Sequence, residues 1–293
     1  MVKASYSPAE RKARLESAQA ELAAAVGAIA TSEEWRAFLE FARRLHSYSA
    51  QNRMWLFQQA MVRGWDDLGH VAGFRTWLAL GRFVRRGEHG LKVLAPCKVK
   101  VLDERTGEET WRLRCFTVET VFAASQTDGD GEIPERPRPE LLRGQGPAGA
   151  WAALADLVAA YGFTLERGEL HPANGQTSFT TKVVTVADRL EEAAAVKTLA
   201  HELAHVLMHQ QVDYGANRER CECEAESVAF LVCSELGLAT DGYSFPYVAT
   251  WAAGDTKMVT AAAERALACA GEVIAAIDGA PAPVAAWTSA PEC

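Results

Sequence analysis

Apolar positions recur at helical spacing along the first sixty residues. Residues 8–29, rich in Ala, Glu and Arg, predict one helix, and residues 32–60 predict a second helical stretch. Ser32 is placed to cap that stretch, and Trp35, Phe38, Leu39, Phe41, Ala42 and Leu45 trace one apolar stripe. A Gly-punctuated segment, 64–90, holds the short helix-like run FRTWLAL. The period then changes to two. LKVLAPCKVKVL (91–102) and WRLRCFTVETVF (111–122) alternate like strands, with DERTGE as the turn between them. Residues 125–148 are rich in Pro, Gly and charge and read as a linker. Beyond it come a helix at 149–161, a strand-like segment at 163–187 with TKVVTV as its strongest run, and a helix at 190–211. Another helix spans 219–237, with Gly237 as its C-cap, and at least one more lies in 247–277. These elements predict an α+β protein of two domains. An N-terminal helical extension (1–30) precedes a helix-plus-sheet domain (31–124); the linker then leads to a second domain (149–278) and a disordered tail (279–293).

Composition narrows the setting. Of 293 residues, 49% are apolar, enough to build two cores. No apolar run reaches membrane-spanning length, so no membrane partner is expected. The charged N-terminus lacks the apolar core of a signal peptide, and the seven cysteines are odd in number and irregularly spaced. Both point to a reducing cytoplasm rather than to a disulfide framework. The net charge of −8 is uneven: residues 1–124 carry 19 Lys and Arg against 14 Asp and Glu, and the remainder 11 against 24. A basic front half on an acidic chain suits a polyanionic partner.

The sharpest chemical signal is HELAH, residues 201–205. On a helix, positions i and i+4 share a face, so His201 and His205 can reach one ion. Zn²⁺ accepts imidazole nitrogen and takes three protein ligands plus water at catalytic sites. Glu202, beside the first ligand, is placed as general base. The flanking sequence AVKTLAHELAHVLMH is apolar, and a buried His-Glu-His face without a metal carries a large desolvation cost. His209 continues the series but lies about 12 Å along the axis from His201. It is therefore expected to play a structural or supporting part.

The third ligand is expected from the next helix, RERCECEAESVAFLVCSELG. Glu222 and Glu226 are four apart and share a face. Glu222 is taken as the ligand and Glu226 as the acid that orients a ligand histidine, with Glu226 as ligand the alternative. Glu224 is expected to face away. Cys221 and Cys223 are a weak thiolate signal, since no matching Cys or His pair follows. The strand TKVVTV is expected at a sheet edge over the cleft, where a peptide substrate can add as a further strand.

In the front half, aromatics interleave with arginines over residues 41–86, a pattern shared by single-strand nucleic-acid binders and by ordinary cores. Here SYSAQN (47–52) and GFRTWLALGRFVRRGEHGLKVLAP (73–96) resemble the N-terminal domain of ArdC-type antirestriction proteins. The back half, through HELAH and the E-x-E-A-E helix, is similar to the ImmA/IrrE group of zincin metallopeptidases. The resemblance implies a single-stranded-DNA-binding module joined to a zincin-like zinc-peptidase domain, acting to protect incoming DNA from restriction. It implies DNA contacts at Asn52, Arg75, Arg82, Arg85, Arg86 and Lys92, with stacking by Trp55 or Trp77. Two other readings stay open: a regulatory protease that cleaves a repressor, and a non-enzymatic DNA shield with a structural zinc.

Overall fold

The computed structural model describes residues 8–29, 31–45, 47–102, 109–133, 146–238, 245 and 251–277. The expected turn 103–108, half of the expected linker (134–145) and the tail 279–293 lie outside the described residues. Contacts divide the chain into a front unit (Met1–Ala28 with Arg44–Glu135) and a back unit (Ile29–Arg43 with Arg136–Cys293).

The front unit contains helices α1 (Pro8–Gly27) and α3 (Ala50–Val62), with a short α4 (Phe74–Ala79). Strands β1 (Val71–Gly73), β3 (Leu91–Leu102) and β4 (Glu109–Ala123) form an antiparallel sheet in the order β1-β4-β3. A second pair joins β2 (Phe83–Val84) to β5 (Thr127–Asp128). Helix α3 packs against β3, and Leu91 and Val93 of β3 and Met54, Trp55 and Leu56 of α3 are all buried. Asn52 locks the two elements together: its amide donates to the Leu94 carbonyl and accepts from the Leu94 N–H, both at 2.8 Å.

The predicted stretch 32–60 is two helices. Helix α2 (Ser32–Ala42) is capped by Thr31 and Glu34 in a reciprocal capping box rather than by Ser32. Residues Ile29–Arg43, which hold it, group by contacts with the back unit. Trp35, fully buried, donates its indole N–H to Ser227 Oγ at 2.8 Å.

In the back unit, α5 (Gly146–Ala160) precedes a three-stranded sheet of β6 (Thr164–Gly168), β7 (Gly175–Ser178) and β8 (Val183–Ala187). The order is β6-β8-β7, with β6 parallel and β7 antiparallel to β8. The TKVVTV run is therefore the central strand, not the edge expected from sequence. Val184 and Val186 point into the core on one face, and both backbone edges are already paired. The strand beside the next helix is β7. Helices α6 (Glu192–Met208), α7 (Tyr214–Glu235) and α8 (Thr256–Ile277) complete the unit, with α7 packed between the other two. Asp213 caps α7, and Asn217 (φ −121°, ψ 18°) breaks its first turn from the rest.

Candidate metal centre and the front-unit surface

Helix α6 is apolar on the side facing α5 and α7, where Val196, Leu199, Leu203 and Val206 are buried. That burial fixes the helix rotation and aims the HELAH face at the sheet and at α7. His201 Nε2 and His205 Nε2 lie 3.1 Å apart. Glu222 of α7 places Oε2 at 3.4 Å from His201 Nε2 and Oε1 at 3.8 Å from His205 Nε2. These donor atoms all lie within 4.8 Å of one another. With bonds of about 2.0–2.2 Å, a tetrahedral ion needs its ligand atoms about 3.3–3.6 Å apart. Two imidazoles and a carboxylate at this spacing fit a divalent transition metal.

Each histidine is held from behind. His201 Nδ1–H donates to Glu226 Oε2 at 3.0 Å, and Lys197 lies 3.4 Å from the other Glu226 oxygen. His205 Nδ1 meets His209 Nδ1 at 2.9 Å, and His209 Nε2 meets Glu224 Oε2 at 3.0 Å. Arg265 of α8 donates to the remaining Glu224 oxygen. One proton assignment satisfies this chain: His205 Nδ1–H donates to His209, and His209 Nε2–H donates to Glu224, leaving His205 Nε2 free for the cluster. The three acids of ECEAE thus serve the same site in three ways: Glu222 directly, Glu226 through His201, Glu224 through His209. Glu224 does not face away into solvent as expected: it is buried and bonded to His209 of α6 and to Arg265 of α8.

The charges follow from this packing. Burial pushes the His201 imidazole down, but hydrogen bonds to Glu222 and Glu226 outweigh it and raise the ring to about 10. Burial, with His201 and His209 nearby, takes His205 down to about 3. Glu222 is opposed by burial, yet bonds from His201 and Tyr214 bring it to about 2.

Glu202 is buried, and burial raises its carboxyl above the usual range, partly offset by His201 and by Thr177. The Thr177 hydroxyl of β7 donates to Glu202 Oε2 at 2.6 Å. Gly175, on the same strand, leaves room for that carboxylate: a Cβ there would sit 2.5 Å from Glu202 Oε1. Sequence reading missed both residues. Tyr214 donates its hydroxyl to Glu222, and its ring lies 5.8 Å from that of His205. Cys221 and Cys223 are fully buried and take no part in the cluster.

The front-unit expectations fare differently. Trp55 and Trp77 are core residues, and the Trp77 indole N–H bonds to the Phe122 carbonyl, so neither presents a face to a base. Asn52 is spent on Leu94. Arg82 binds Thr127 and the carbonyls of Gly129 and Gly131; Arg85 binds Glu88, Ser125 and Asp128; Lys92 pairs with Glu21. These side chains brace loops. Arg75 and Arg86 are exposed and, among the described residues, have no ion-pair partner. The exposed aromatics are others: Phe74 (46%), Phe83 (53%) and Phe116 (44%), with Leu78 (51%) one turn after Phe74 on α4. A sequence pattern of alternating aromatics and arginines could not separate these from the buried tryptophans.

Comparison with known proteins matches residues 15–123 to the N-terminal domain of anti-restriction factor ArdC, and residues 158–242 to the IrrE N-terminal-like domain. Among solved structures, the metal-free antirestriction ArdC protein from the R388 plasmid is similar over 79% of this chain and 85% of that one. The identity is 24% and the TM-score 0.52. The Mn(II)-bound structure of the same R388 protein matches over 79% and 89%, at 25% identity and a TM-score of 0.50. No curated protein matches the chain.

Proposed function

We propose that this chain is an ArdC-type protein that joins a zinc-dependent peptidase centre to a surface for single-stranded DNA, acting in antirestriction. The observation that carries the peptidase reading is the convergence of His201, His205 and Glu222 beside a buried Glu202. Two imidazoles and a carboxylate accept zinc or manganese, and zinc binds such a set more tightly. Bound there, the metal supplies a Lewis acid and makes water more acidic. Glu202 is the general base: its carboxylate takes the proton of the attacking water and returns it to the leaving amine. Thr177 holds that carboxylate in place. Strand β7, the outer strand next to α6, aligns an extended peptide by backbone pairing.

For DNA, the reading rests on Phe74, Phe83 and Phe116 as stacking faces, with Arg75 and Arg86 meeting phosphates. These replace the buried Trp55 and Trp77.

Two experiments test the pair of claims. With zinc supplied, the wild-type protein should cleave an unfolded protein substrate, and Glu202→Gln should bind zinc normally but cleave at least 100-fold more slowly. Equal cleavage by both ends the role of Glu202; equal protection of DNA in cells by both favours a shield with a structural metal. Titration with labelled single-stranded and duplex oligonucleotides over a salt series tests the front unit. Tight single-strand binding that weakens steeply with salt is expected, and Phe83→Ala should reduce it. Absence of binding at low salt would remove DNA from the reading.

A further inference from the structure

The front unit holds two cysteines, Cys97 on β3 and Cys115 on β4, and the strand register sets them directly opposite each other. Residues facing across an antiparallel pair share one face of the sheet. The pair sits on the side of the ladder that begins with buried Leu91 and Val93. By Cys97 that side has run out towards solvent, so Cys97 is half-buried and Cys115 exposed. Immediately after Cys97 the register shifts by one residue, at a bulge between Cys97 and Lys98. Among the described residues of the back unit, the cysteines differ: Cys221, Cys223, Cys233 and Cys269 are each buried away from solvent.

We propose that Cys97 and Cys115 form a reversible dithiol–disulfide pair that staples β3 to β4 under oxidising conditions. Opposite residues in an antiparallel pair have Cα atoms about 4.5–5.5 Å apart, inside the range a disulfide spans. Their Cβ atoms, about 4.5–5.5 Å apart, stand slightly wider than the roughly 3.5–4.5 Å of a relaxed disulfide. Closing the bond draws the strands together, and the adjacent bulge is the place where the ladder can give. A bond closed under strain is easier to reduce than a relaxed structural one, which makes it responsive to a thiol pool.

The chemistry needs a low-molecular-weight disulfide such as glutathione disulfide. Cys115, the exposed thiol, loses its proton and attacks one sulfur of the oxidant, releasing one glutathione thiolate and leaving a mixed disulfide. Cys97 then loses its proton and attacks the Cys115 sulfur, releasing the second glutathione. Two thiols are oxidised by two electrons, one S–S bond forms, and the oxidant's S–S bond is converted to two thiols. Each attack needs a thiolate, so oxidation speeds up as pH rises.

The test uses the full-length protein equilibrated in glutathione buffers from fully reduced to fully oxidised, quenched by alkylation and digested without reductant. The expected product is one intramolecular peptide joining Cys97 to Cys115. It should appear along a two-electron titration, revert with dithiothreitol and raise the thermal midpoint by several degrees. Cys97→Ser should accumulate glutathione on Cys115 instead, because the resolving thiol is gone. The proposal is overturned by separate glutathione adducts on Cys97 and Cys115 in the wild type. Two thiols still free at the most oxidising ratio, or a bond between Cys115 residues of two copies, overturn it equally. A matching melting curve for Cys97→Ser under reducing conditions establishes that the variant is folded.

Discussion

Thr177 donates a 2.6 Å hydrogen bond from its hydroxyl to the carboxylate of Glu202, joining the outer strand of the back-unit sheet to the proposed base. A hydrogen bond to a charged group contributes about 1.5–3 kcal/mol. It also opposes the burial that raises Glu202. Thr177→Val keeps the shape and removes the donor, so the carboxyl should hold its proton to higher pH. A general base acts only when ionised, and the acid limb of the hydrolysis profile should therefore move to higher pH, with about tenfold slower cleavage near neutrality. An unmoved acid limb would show that Thr177 does not tune the base.

The supports behind the two histidines should set metal affinity. Glu226→Ala and His209→Leu each remove one such partner and should weaken zinc binding by about 10–100-fold in chelator competition. His209→Gln keeps an acceptor for His205 and a donor for Glu224, so it should bind more tightly than His209→Leu. Equal zinc affinity in wild type and a folded His209→Leu would reduce the buried His209–Glu224–Arg265 chain to packing alone.

Helix α2 should be an integral part of the back unit. Trp35 is fully buried, with its indole N–H on Ser227, whose hydroxyl donates in turn to the Cys223 carbonyl of α7. Trp35→Ala should cost about 3–5 kcal/mol, read as a lowered urea midpoint. A fragment beginning at residue 136 should be poorly folded, and adding residues 29–43 as a peptide should raise its thermal midpoint. A fully stable fragment lacking α2 would refute this.

The front unit should lose stability in alkali through Tyr48. Its hydroxyl donates to the Val71 carbonyl at 3.1 Å, and burial raises it to about 12. The unfolded chain ionises near 10, so this contribution is intact below about pH 10 and is lost as pH rises through about 12. Tyr48→Phe should show a smaller drop in front-unit stability between pH 9 and pH 11. Equal drops in both proteins would assign the loss to other groups.

The helix period made much of the centre legible. His201 and His205 are four apart on an apolar helix, so their common face follows from local geometry alone, and so does the pairing of Glu222 with Glu226 on one face. The family resemblance came from motifs that are also local runs. What the sequence left open depended on neighbours distant in the chain. Trp55, Trp77, Phe74 and Phe83 are all aromatics among arginines, and only packing against β3 and β4 decides which are buried. TKVVTV reads as a strand from its β-branched residues, but its central place depends on pairing with β6 and β7, which no periodicity encodes. Glu224 lies on the far side of its helix from Glu222, which by itself suggests solvent. Helix α8 brings Arg265 to it, and α6 brings His209, because a buried carboxylate is stable only where tertiary structure supplies both partners.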